Sequence, residues 1–389
     1  MTPSTSKKNI RPESAVVTNP AGSAFPTHGG NRKAAAEEAG MNPDDLLDFS
    51  ASINPLGTPT RIKAILKSRD ALEEYPDPEA VELRSALSHH LKIDPDWILP
   101  TNGSTEFIYL LPHLLEKGRE VLLVQPLFSE YERAFKNLRI PVRNHYLNPN
   151  RRFEIEVGPL LFNLGKWDKV GAIVIGRPNS PMGNLFEEKS ISTLLTFCKK
   201  KGILLIADET FIEFGDRQCF LVEKLKTCPN LVLIRSFTKF YALPGLRMGY
   251  GMLHPKWIQR IAPYLPPWSV NGLAQRIGVE VLKDYKFASK TRDFIRRERE
   301  FLSRKLMDLP VEVFDSNTNF LLLRLKSNDP NLPGRLYQNL LNRGILIRNC
   351  GNFTGLDERY FRIAVKKRKE NRSLLSAMRS IFQEYFLTL

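Results

Sequence analysis

Cysteine is scarce in this chain, with four residues among 389. Cys198, Cys219, Cys228 and Cys350 lack the close spacing of a zinc-binding motif. A chain of this length can bury a core large enough to fold without disulfides. The sequence therefore predicts neither a disulfide framework nor a metal site, and we expect a protein of the reducing cytoplasm.

Long apolar segments are also missing, since no run approaches the roughly 18 residues that a membrane-spanning helix needs. The first 24 residues are rich in Ser, Thr, Pro and Lys and lack the apolar core of a secretory signal. We interpret residues 1–24 as a flexible arm, and we expect no membrane partner.

Acidic residues are outnumbered, because 57 Lys and Arg stand against 42 Asp and Glu for a formal net charge of +15. A basic balance of this size favours anionic partners, either nucleic acid or small phosphorylated molecules. The basic residues are spread along the chain, apart from a run at 366–369, and no nucleic-acid motif interleaves aromatic residues with them. Solvated basic surface explains most of the charge, so we expect a small phosphorylated substrate and no nucleic acid.

Short apolar runs alternate with stretches of helical period through the middle of the chain. This alternation is typical of βα units and of an α/β fold with a mainly parallel sheet. The predicted strands lie at 121–124, 172–175, 203–207, 231–235 and 248–252. The predicted helices lie at 105–116, 187–201 and 255–261.

A different rhythm follows a long, charged helical stretch over residues 272–307. Short strands and helices alternate there, which predicts a smaller α+β lobe. The strands are at 311–314, 320–323, 345–347 and 361–365, and the helices are at 333–342 and 371–385. With the boundary in the long helical stretch, an N-terminal segment and large domain cover 25–285, and a small C-terminal domain covers 286–389.

The motif S-F-T-K-F-Y-A-L-P-G-L-R-M-G-Y at 236–250 directly follows a predicted strand. A neutral lysine amine can attack an aldehyde, and an arginine forms charge-assisted bonds to a phosphate. The motif resembles the signature of fold-type I enzymes that depend on pyridoxal 5'-phosphate (PLP), which implies their transferase fold with a seven-stranded sheet. The resemblance also implies that Lys239 binds PLP covalently and that Ser236 and Arg247 hold its phosphate, with Thr238 beside them.

Other segments resemble further positions of this family's cofactor site. Asp208 ends a predicted strand, and the resemblance implies that it pairs with the pyridine nitrogen of PLP. The loop R-P-N-S-P-M-G at 177–183 has Arg177 where the family usually has asparagine. Within it, Asn179 corresponds to the residue that binds the ring oxygen. Phe128 has the position of the aromatic side chain that stacks on PLP.

The segment T-N-G-S-T-E at 101–106 leads into a predicted helix, whose exposed backbone N–H groups suit an anion. A plain helix cap explains the same residues. In the family this segment is a cup for the cofactor phosphate, here Gly103, Ser104 and Thr105. Tyr75 resembles a tyrosine that reaches that phosphate across a dimer interface, which implies an obligate homodimer with shared active sites.

PLP chemistry alone does not fix the reaction, because transaminases, decarboxylases and lyases share it. The chain resembles histidinol-phosphate aminotransferases and, more closely, the threonine-phosphate decarboxylases of cobalamin biosynthesis. The segments that favour the decarboxylases are H-G-G-N at 28–31, D-F-S-A-S-I-N-P-L-G at 48–57 and R-N-C-G-N-F-T-G-L at 348–356. In addition, D-E-T-F at 208–211 has phenylalanine where the aminotransferases have tyrosine.

Two arginines at the spacing of Arg348 and Arg362 can hold the carboxylate and the phosphate of a phosphorylated amino acid. The resemblance implies a substrate pocket of His28, Gly29, Gly30, Asn31, Ser52, Ile53, Asn54, Asn179, Arg348 and Arg362. With Lys239 and Asp208 as catalytic residues, the expected reaction converts L-threonine O-3-phosphate to (R)-1-amino-2-propanol O-phosphate, a precursor of the cobalamin nucleotide loop. L-serine O-phosphate stays open as a second substrate, and a histidinol-phosphate or related aminotransferase stays open as the alternative activity.

Overall fold

The computed structural model describes residues 28–67, 73–216 and 219–387. The predicted flexible arm at 1–24 lies outside the described residues. A seven-stranded sheet organises a large unit, and a four-stranded sheet organises a small unit. Among the described helices, none combines the length and the apolar character that crossing a bilayer requires.

The described strands and α-helices are numbered here in chain order. The strands are β1 (Leu47–Asp48), β2 (Ile98–Thr101), β3 (Glu120–Gln125), β4 (Val142–Tyr146), β5 (Val170–Gly176), β6 (Leu204–Asp208), β7 (Leu231–Ser236), β8 (Gly249–Leu253), β9 (Val311–Val313), β10 (Phe320–Leu325), β11 (Ile345–Leu346), β12 (Arg348–Asn349) and β13 (Tyr360–Ala364). The helices are α1 (Arg32–Glu38), α2 (Val81–Leu91), α3 (Gly103–Leu110), α4 (Glu130–Asn137), α5 (Val157–Lys166), α6 (Glu188–Lys201), α7 (Pro255–Ile261), α8 (Gly272–Leu282), α9 (Tyr285–Leu306), α10 (Leu332–Asn342) and α11 (Arg368–Leu387).

The large sheet has the strand order β2-β8-β7-β6-β5-β3-β4. Strand β8 runs antiparallel to both neighbours, and the other pairs are parallel. Successive residues of a central strand enter different cores on the two faces, as Leu122 and Leu123 do in β3. Strands buried on both faces read as continuous apolar runs, which is why the sequence predicted them. The predicted mainly parallel, seven-stranded α/β sheet is confirmed.

Two strands of this sheet were not predicted from the sequence. Strand β2 contains Pro100, which cannot donate a hydrogen bond to a neighbouring strand. Strand β4 has the sequence V-R-N-H-Y and lies at the sheet edge with its residues partly or fully exposed. Neither strand therefore has the apolar run by which the central strands were recognised.

The small unit has an antiparallel sheet of order β12-β13-β10-β9, which packs with α10 and α11. The predicted helical stretch at 272–307 is two helices, α8 and α9. Asp284 separates them, and its side chain caps α9 by accepting a hydrogen bond from the Phe287 amide at 3.0 Å. The predicted α+β character of the C-terminal lobe is confirmed.

The N-terminal segment packs with the small unit. Strand β1 pairs in parallel with β11, and Ala35, Leu46 and Phe49 are buried in the same core as α10 and α11. The sequence-based division grouped this segment with the large domain over 25–285. The apolar side chains of the segment find their partners in the C-terminal lobe. The predicted domain division, with its boundary near residue 285, stays a prediction.

Gly251 of β8 lies so close to Phe107 of α3 that a Cβ atom on the glycine would overlap the ring. We predict that Gly251→Ala lowers the free energy of unfolding by about 1–3 kcal/mol, because the helix must move away from the sheet. The measurement is the thermal unfolding midpoint at a fixed protein concentration. Gly334→Ala in α10 is the matched control, since a Cβ there meets no atom within 4 Å. Equal midpoints for the two variants would contradict the close helix–sheet packing.

Candidate active site

A cavity opens at the carboxyl ends of β6 and β7, between the large sheet and the small unit. In α/β sheets, ligands bind at this edge. Most of the residues that the sequence predicts for cofactor and substrate binding line the cavity. They are His28, Gly29, Ser52, Ser104, Thr105, Phe128, Asp208, Ser236, Thr238, Lys239, Arg247, Arg348 and Arg362. The fold thus brings together residues from distant parts of the chain.

Lys239 lies on the cavity wall shortly after β7. Burial, together with the guanidinium groups of Arg362 and Arg247, lowers the pKa of Lys239 to about 8, whereas Asp48 acts in the opposite direction. A large fraction of the amine is therefore neutral near pH 8. The neutral form is the nucleophile in a reaction with an aldehyde.

Asp208 is the last residue of β6, and both oxygens of its carboxylate accept hydrogen bonds. The Thr210 amide donates to Oδ1 at 2.9 Å, and the Tyr131 hydroxyl donates to Oδ2 at 2.8 Å. Burial raises the pKa of Asp208, and these hydrogen bonds act in the opposite direction. The carboxylate is thus held in a fixed orientation in a setting that favours a cationic partner. Tyr131 was missed by the sequence analysis, although it lies three residues after Phe128.

Arg247 and the beginning of α3 lie side by side and form a cup on the cavity wall. Gly103 has a φ of +77°, and a Cβ atom there would lie 2.5 Å from Nη2 of Arg247. A Cβ atom on Gly249 would overlap the backbone of Ser104. Glycine at both positions lets the guanidinium and the strand approach the helix start, where backbone N–H groups are available to an anion.

Arg348 of β12 and Arg362 of β13 lie opposite each other on antiparallel strands. Arg362 donates from Nη1 to the Ser180 hydroxyl at 2.9 Å and from Nη2 to the Ser50 carbonyl at 3.3 Å. Arg348 donates from Nη2 to Oδ1 of Asn352 at 2.6 Å. Burial lowers the pKa of both arginines, that of Arg348 to about 10. Two buried guanidinium groups on neighbouring strands of one cavity suit a ligand that carries anionic groups.

Ile53, Asn54 and Asn179 do not line the cavity. Asn54 is buried, and its Nδ2 donates to the Phe240 carbonyl at 2.8 Å and to the Thr291 hydroxyl at 3.0 Å. Asn179 is fully buried in the loop after β5. The side chain of Asn54 therefore joins chain segments behind the wall, and the predicted ligand contacts of all three residues stay predictions.

Gly30 and Asn31 border a smaller cavity beside the main one. The Asn31 side chain caps α1 by accepting a hydrogen bond from the Ala34 amide at 3.3 Å. Tyr75 is 83% exposed, with its ring 5.0 Å from that of Trp268. It does not line the cavity of its own chain, and its contact with a second subunit's cofactor stays a prediction.

Arg177, which follows β5, takes part in a group of buried ion pairs. Its Nη1 lies 3.6 Å from Oε1 of Glu209, whose Oε2 lies 2.7 Å from Nη2 of Arg235. All three side chains are buried. Burying an unpaired carboxylate would cost folding free energy, and here the Glu209 carboxylate is paired with two arginines. Because Glu209 directly follows Asp208, these ion pairs also fix the end of β6.

Comparison with known proteins adds to this geometry. Residues 44–378 match the family described as aminotransferase class I and II. A threonine-phosphate decarboxylase from Salmonella typhimurium is 37% identical over 357 residues, which cover 91% of this chain and 96% of that protein. The crystal structure of the histidinol-phosphate aminotransferase from Clostridium acetobutylicum has 31% sequence identity and a TM-score of 0.80, covering 87% of this chain and 100% of that one. The crystal structure of L-threonine-O-3-phosphate decarboxylase from Porphyromonas gingivalis has 28% identity and a TM-score of 0.76, covering 86% and 99%. These matches confirm the predicted family resemblance and fold.

We predict that Lys239 reacts with formaldehyde and a mild reductant faster than the exposed lysines do near neutral pH. At pH 8 about half of its amine is neutral, against well under about one hundredth for an ordinary lysine. Peptide mass spectrometry of the ligand-free protein between about pH 7 and 9 gives the extent of methylation at each lysine. Modification of Lys239 should level off above pH 8. A modification of Lys239 that keeps rising with pH up to 9 would contradict the environment described for this lysine.

Proposed function

We propose, since the chain belongs to the aminotransferase class I and II family, that it is a PLP-dependent enzyme that decarboxylates L-threonine O-3-phosphate. The product would be (R)-1-amino-2-propanol O-phosphate, which the sequence resemblance links to the nucleotide loop of cobalamin. The observation that carries the proposal is the buried pair of Arg348 and Arg362, which share a cavity with Lys239. Similarity to a threonine-phosphate decarboxylase over nearly the whole chain supports the same reaction.

The cavity fits PLP in three respects. The cup of Arg247 and the α3 start, which a side chain at Gly103 would obstruct, suits the cofactor phosphate. Asp208, oriented by Tyr131, suits a protonated pyridine nitrogen, and Lys239 offers an amine to the aldehyde. The chemistry supplied by bound PLP is electron withdrawal from the substrate Cα, which lets one bond at that carbon break. The cofactor contacts we propose are those of Gly103, Ser104, Thr105, Phe128, Asn179, Asp208, Ser236, Thr238, Lys239 and Arg247, with Tyr75 acting across a dimer.

The two arginines select the bond that breaks. Decarboxylation would require the bond from Cα to the carboxylate to be held in one fixed orientation. When Arg348 and Arg362 hold the carboxylate and the phosphate, the binding energy of the remote phosphate helps to maintain this orientation. His28 and Ser52 lie on the same cavity wall and add hydrogen-bonding groups for the substrate.

Lys239 moves the proton in this proposal. Its Nζ lies on the cavity wall, and its pKa of about 8 in the ligand-free protein would allow it both to hold and to release a proton near neutral pH. Nζ then donates that proton to the carbon from which CO₂ has left. Asp208 keeps one orientation toward the bound cofactor, because Tyr131 and Thr210 donate hydrogen bonds to its two carboxylate oxygens.

A histidinol-phosphate aminotransferase is the second candidate, favoured by the high structural similarity to such an enzyme. Phe211 argues against it. Its ring lies on the cavity wall, edge-on to Phe320 with the centroids 5.0 Å apart. A phenylalanine offers no hydroxyl to the cofactor, whereas the resemblance implies a tyrosine at this position in the aminotransferases.

A homodimer is also part of the proposal. Tyr75 and Trp268 expose 83% and 48% of their surface side by side, and large aromatic side chains of this kind mark interaction surfaces. A dimer would cover them and bring Tyr75 to the cofactor phosphate of the other subunit. A cytoplasmic location is proposed from the four free cysteines of the described chain.

The proposal is tested by incubating the PLP-saturated protein with threonine phosphate, serine phosphate, histidinol phosphate and unphosphorylated threonine. We expect CO₂ release from threonine phosphate and a slower release from serine phosphate, since one methyl group is worth roughly 10–200-fold in specificity. Unphosphorylated threonine should not react, and Lys239→Ala should abolish all turnover. Transfer of the amino group from histidinol phosphate to 2-oxoglutarate, without CO₂ release, would contradict the proposal. The protein would then be an aminotransferase.

Arg362→Lys provides a second prediction. Lysine keeps the positive charge but loses the planar two-pronged contact, so kcat/KM for threonine phosphate should fall by at least about tenfold. Arg335→Lys is the matched control, because Arg335 is exposed on α10. Steady-state decarboxylation kinetics measure both variants. Wild-type kinetics for Arg362→Lys would show that the two-arginine pocket does not recognise the substrate.

A further inference from the structure

Glu130 is a nearly buried acid that directly follows two residues of the cavity wall, and it begins α4. Its side chain is 11% exposed. The Tyr109 hydroxyl donates to Oε2 at 2.7 Å, and Oε1 lies 3.4 Å from Nε2 of His28. The roles proposed above do not use this acid. A buried carboxylate has to be held by partners, and one of its partners here belongs to the cavity.

His28 connects Glu130 to the cavity. Its ring lies on the wall, with its centroid 5.9 Å from that of Phe128. The two residues after His28 contact Ser50, which belongs to the N-terminal segment that packs with the small unit. Gly29 packs against the Ser50 carbonyl so closely that no Cβ fits, and the Gly30 amide donates to the Ser50 hydroxyl at 2.8 Å. The contact between His28 and Glu130 therefore bridges the N-terminal segment and the large unit.

The charged groups that face His28 are Glu130 and Arg133 from α4 and Arg348 from β12. Burial lowers the pKa of His28, and Arg348 and Arg133 lower it further, whereas Glu130 raises it. Of these three charged neighbours, Glu130 alone stabilises the protonated ring. Tyr109 holds the far oxygen of Glu130 and so keeps its carboxylate directed at the histidine.

We propose that Glu130 is a positioning residue that orients His28 and keeps it protonated when a phosphate dianion enters the cavity, so that binding of the phosphorylated substrate takes up a proton. The inference rests on the proposed function for the identity of the substrate. A protonated imidazole has two N–H donors, whereas a neutral one has a single donor. If the Nε2–H group donates to Glu130, the Nδ1–H group is the donor that can bind the phosphate. Only the protonated ring can therefore serve both acceptors at once.

This coupling predicts how anion affinity depends on pH. Below the pKa that His28 has in the ligand-free protein, the ring is already protonated and binding is strongest. As the pH rises from that pKa toward the higher pKa of the complex, the affinity falls by up to about tenfold per pH unit. Removing the charge of Glu130 lowers the pKa of His28, so the decline should begin at a lower pH in Glu130→Gln.

The test measures sulfate binding to the PLP-saturated protein by isothermal titration calorimetry between about pH 6 and 8. Sulfate is a tetrahedral dianion that does not titrate in this range, so any proton taken up comes to the protein. The measurement is repeated in buffers with different ionisation enthalpies. The dependence of the observed binding enthalpy on the buffer gives the number of protons taken up per sulfate bound. We expect up to one proton per sulfate in the wild type, and sulfate binding about fivefold to tenfold weaker in Glu130→Gln at pH 6, because the loss of the Glu130 charge lowers the pKa of His28.

Three further variants complete the test. Glu132→Gln is the matched control on the same helix, since Glu132 pairs with Lys136 instead of a cavity residue, and it should behave as wild type. His28→Asn should lose the pH dependence that His28 contributes, and Tyr109→Phe should give a smaller effect than Glu130→Gln. Wild-type affinity and proton uptake in Glu130→Gln would overturn the inference, as would pH-independent sulfate binding by the wild-type protein.

Failure of this inference and failure of the proposed function are separable. Sulfate binding requires no turnover, so a protein that shows the coupling but does not decarboxylate threonine phosphate loses only the proposed substrate. A protein that decarboxylates threonine phosphate while Glu130→Gln binds sulfate normally loses only the role of Glu130. In the active protein, Glu130→Gln should raise KM at pH 8 more than it lowers kcat, because a positioning residue for the remote phosphate acts mainly on binding.

Discussion

The Asp48 carboxylate stabilises a turn at residues 48–51 that contacts two parts of the cavity wall, the loop of His28 and Arg362. Its Oδ1 accepts hydrogen bonds from the Ser50 amide at 2.8 Å, the Ser50 hydroxyl at 2.6 Å and the Ala51 amide at 3.2 Å. Ser50 in turn accepts from the Gly30 amide through its hydroxyl and from Arg362 through its carbonyl. One carboxylate thus fixes Arg362 of the cavity wall and the loop that carries His28. The spatial relation between the two follows from this single turn.

The positive charge of the cavity differs in kind from that of the surface. The overall charge of +15 is spread along the chain, whereas Lys239, Arg348 and Arg362 lie in one cavity where burial lowers the pKa of each. Such groups reduce the stability of the folded protein when no anion compensates them. Bound anions reverse that effect, so ligands with phosphate and carboxylate groups stabilise the fold as they bind.

The sequence predicted those features that are local properties of a segment. Central strands such as β5 could be predicted because they are continuous apolar runs, and Lys239 because its motif is long and specific. The roles of Tyr131 and Glu130 could not be predicted, since they depend on hydrogen bonds to residues far along the chain. Asn54 illustrates a further limit. A matching motif shows that a residue is important, but it does not show whether the side chain faces a ligand or another part of the fold.

The pairing of β1 with β11 has a consequence for the biosynthesis of this protein. It joins Leu47 to Ile345, so the N-terminal segment leaves the ribosome first while its strand partner and its hydrophobic core emerge last. The large sheet has all of its strands well before that point. The segment that carries His28 and the turn at Asp48 can therefore dock only at the end of translation, and in an unfinished chain these residues are present without the β11 strand that positions them.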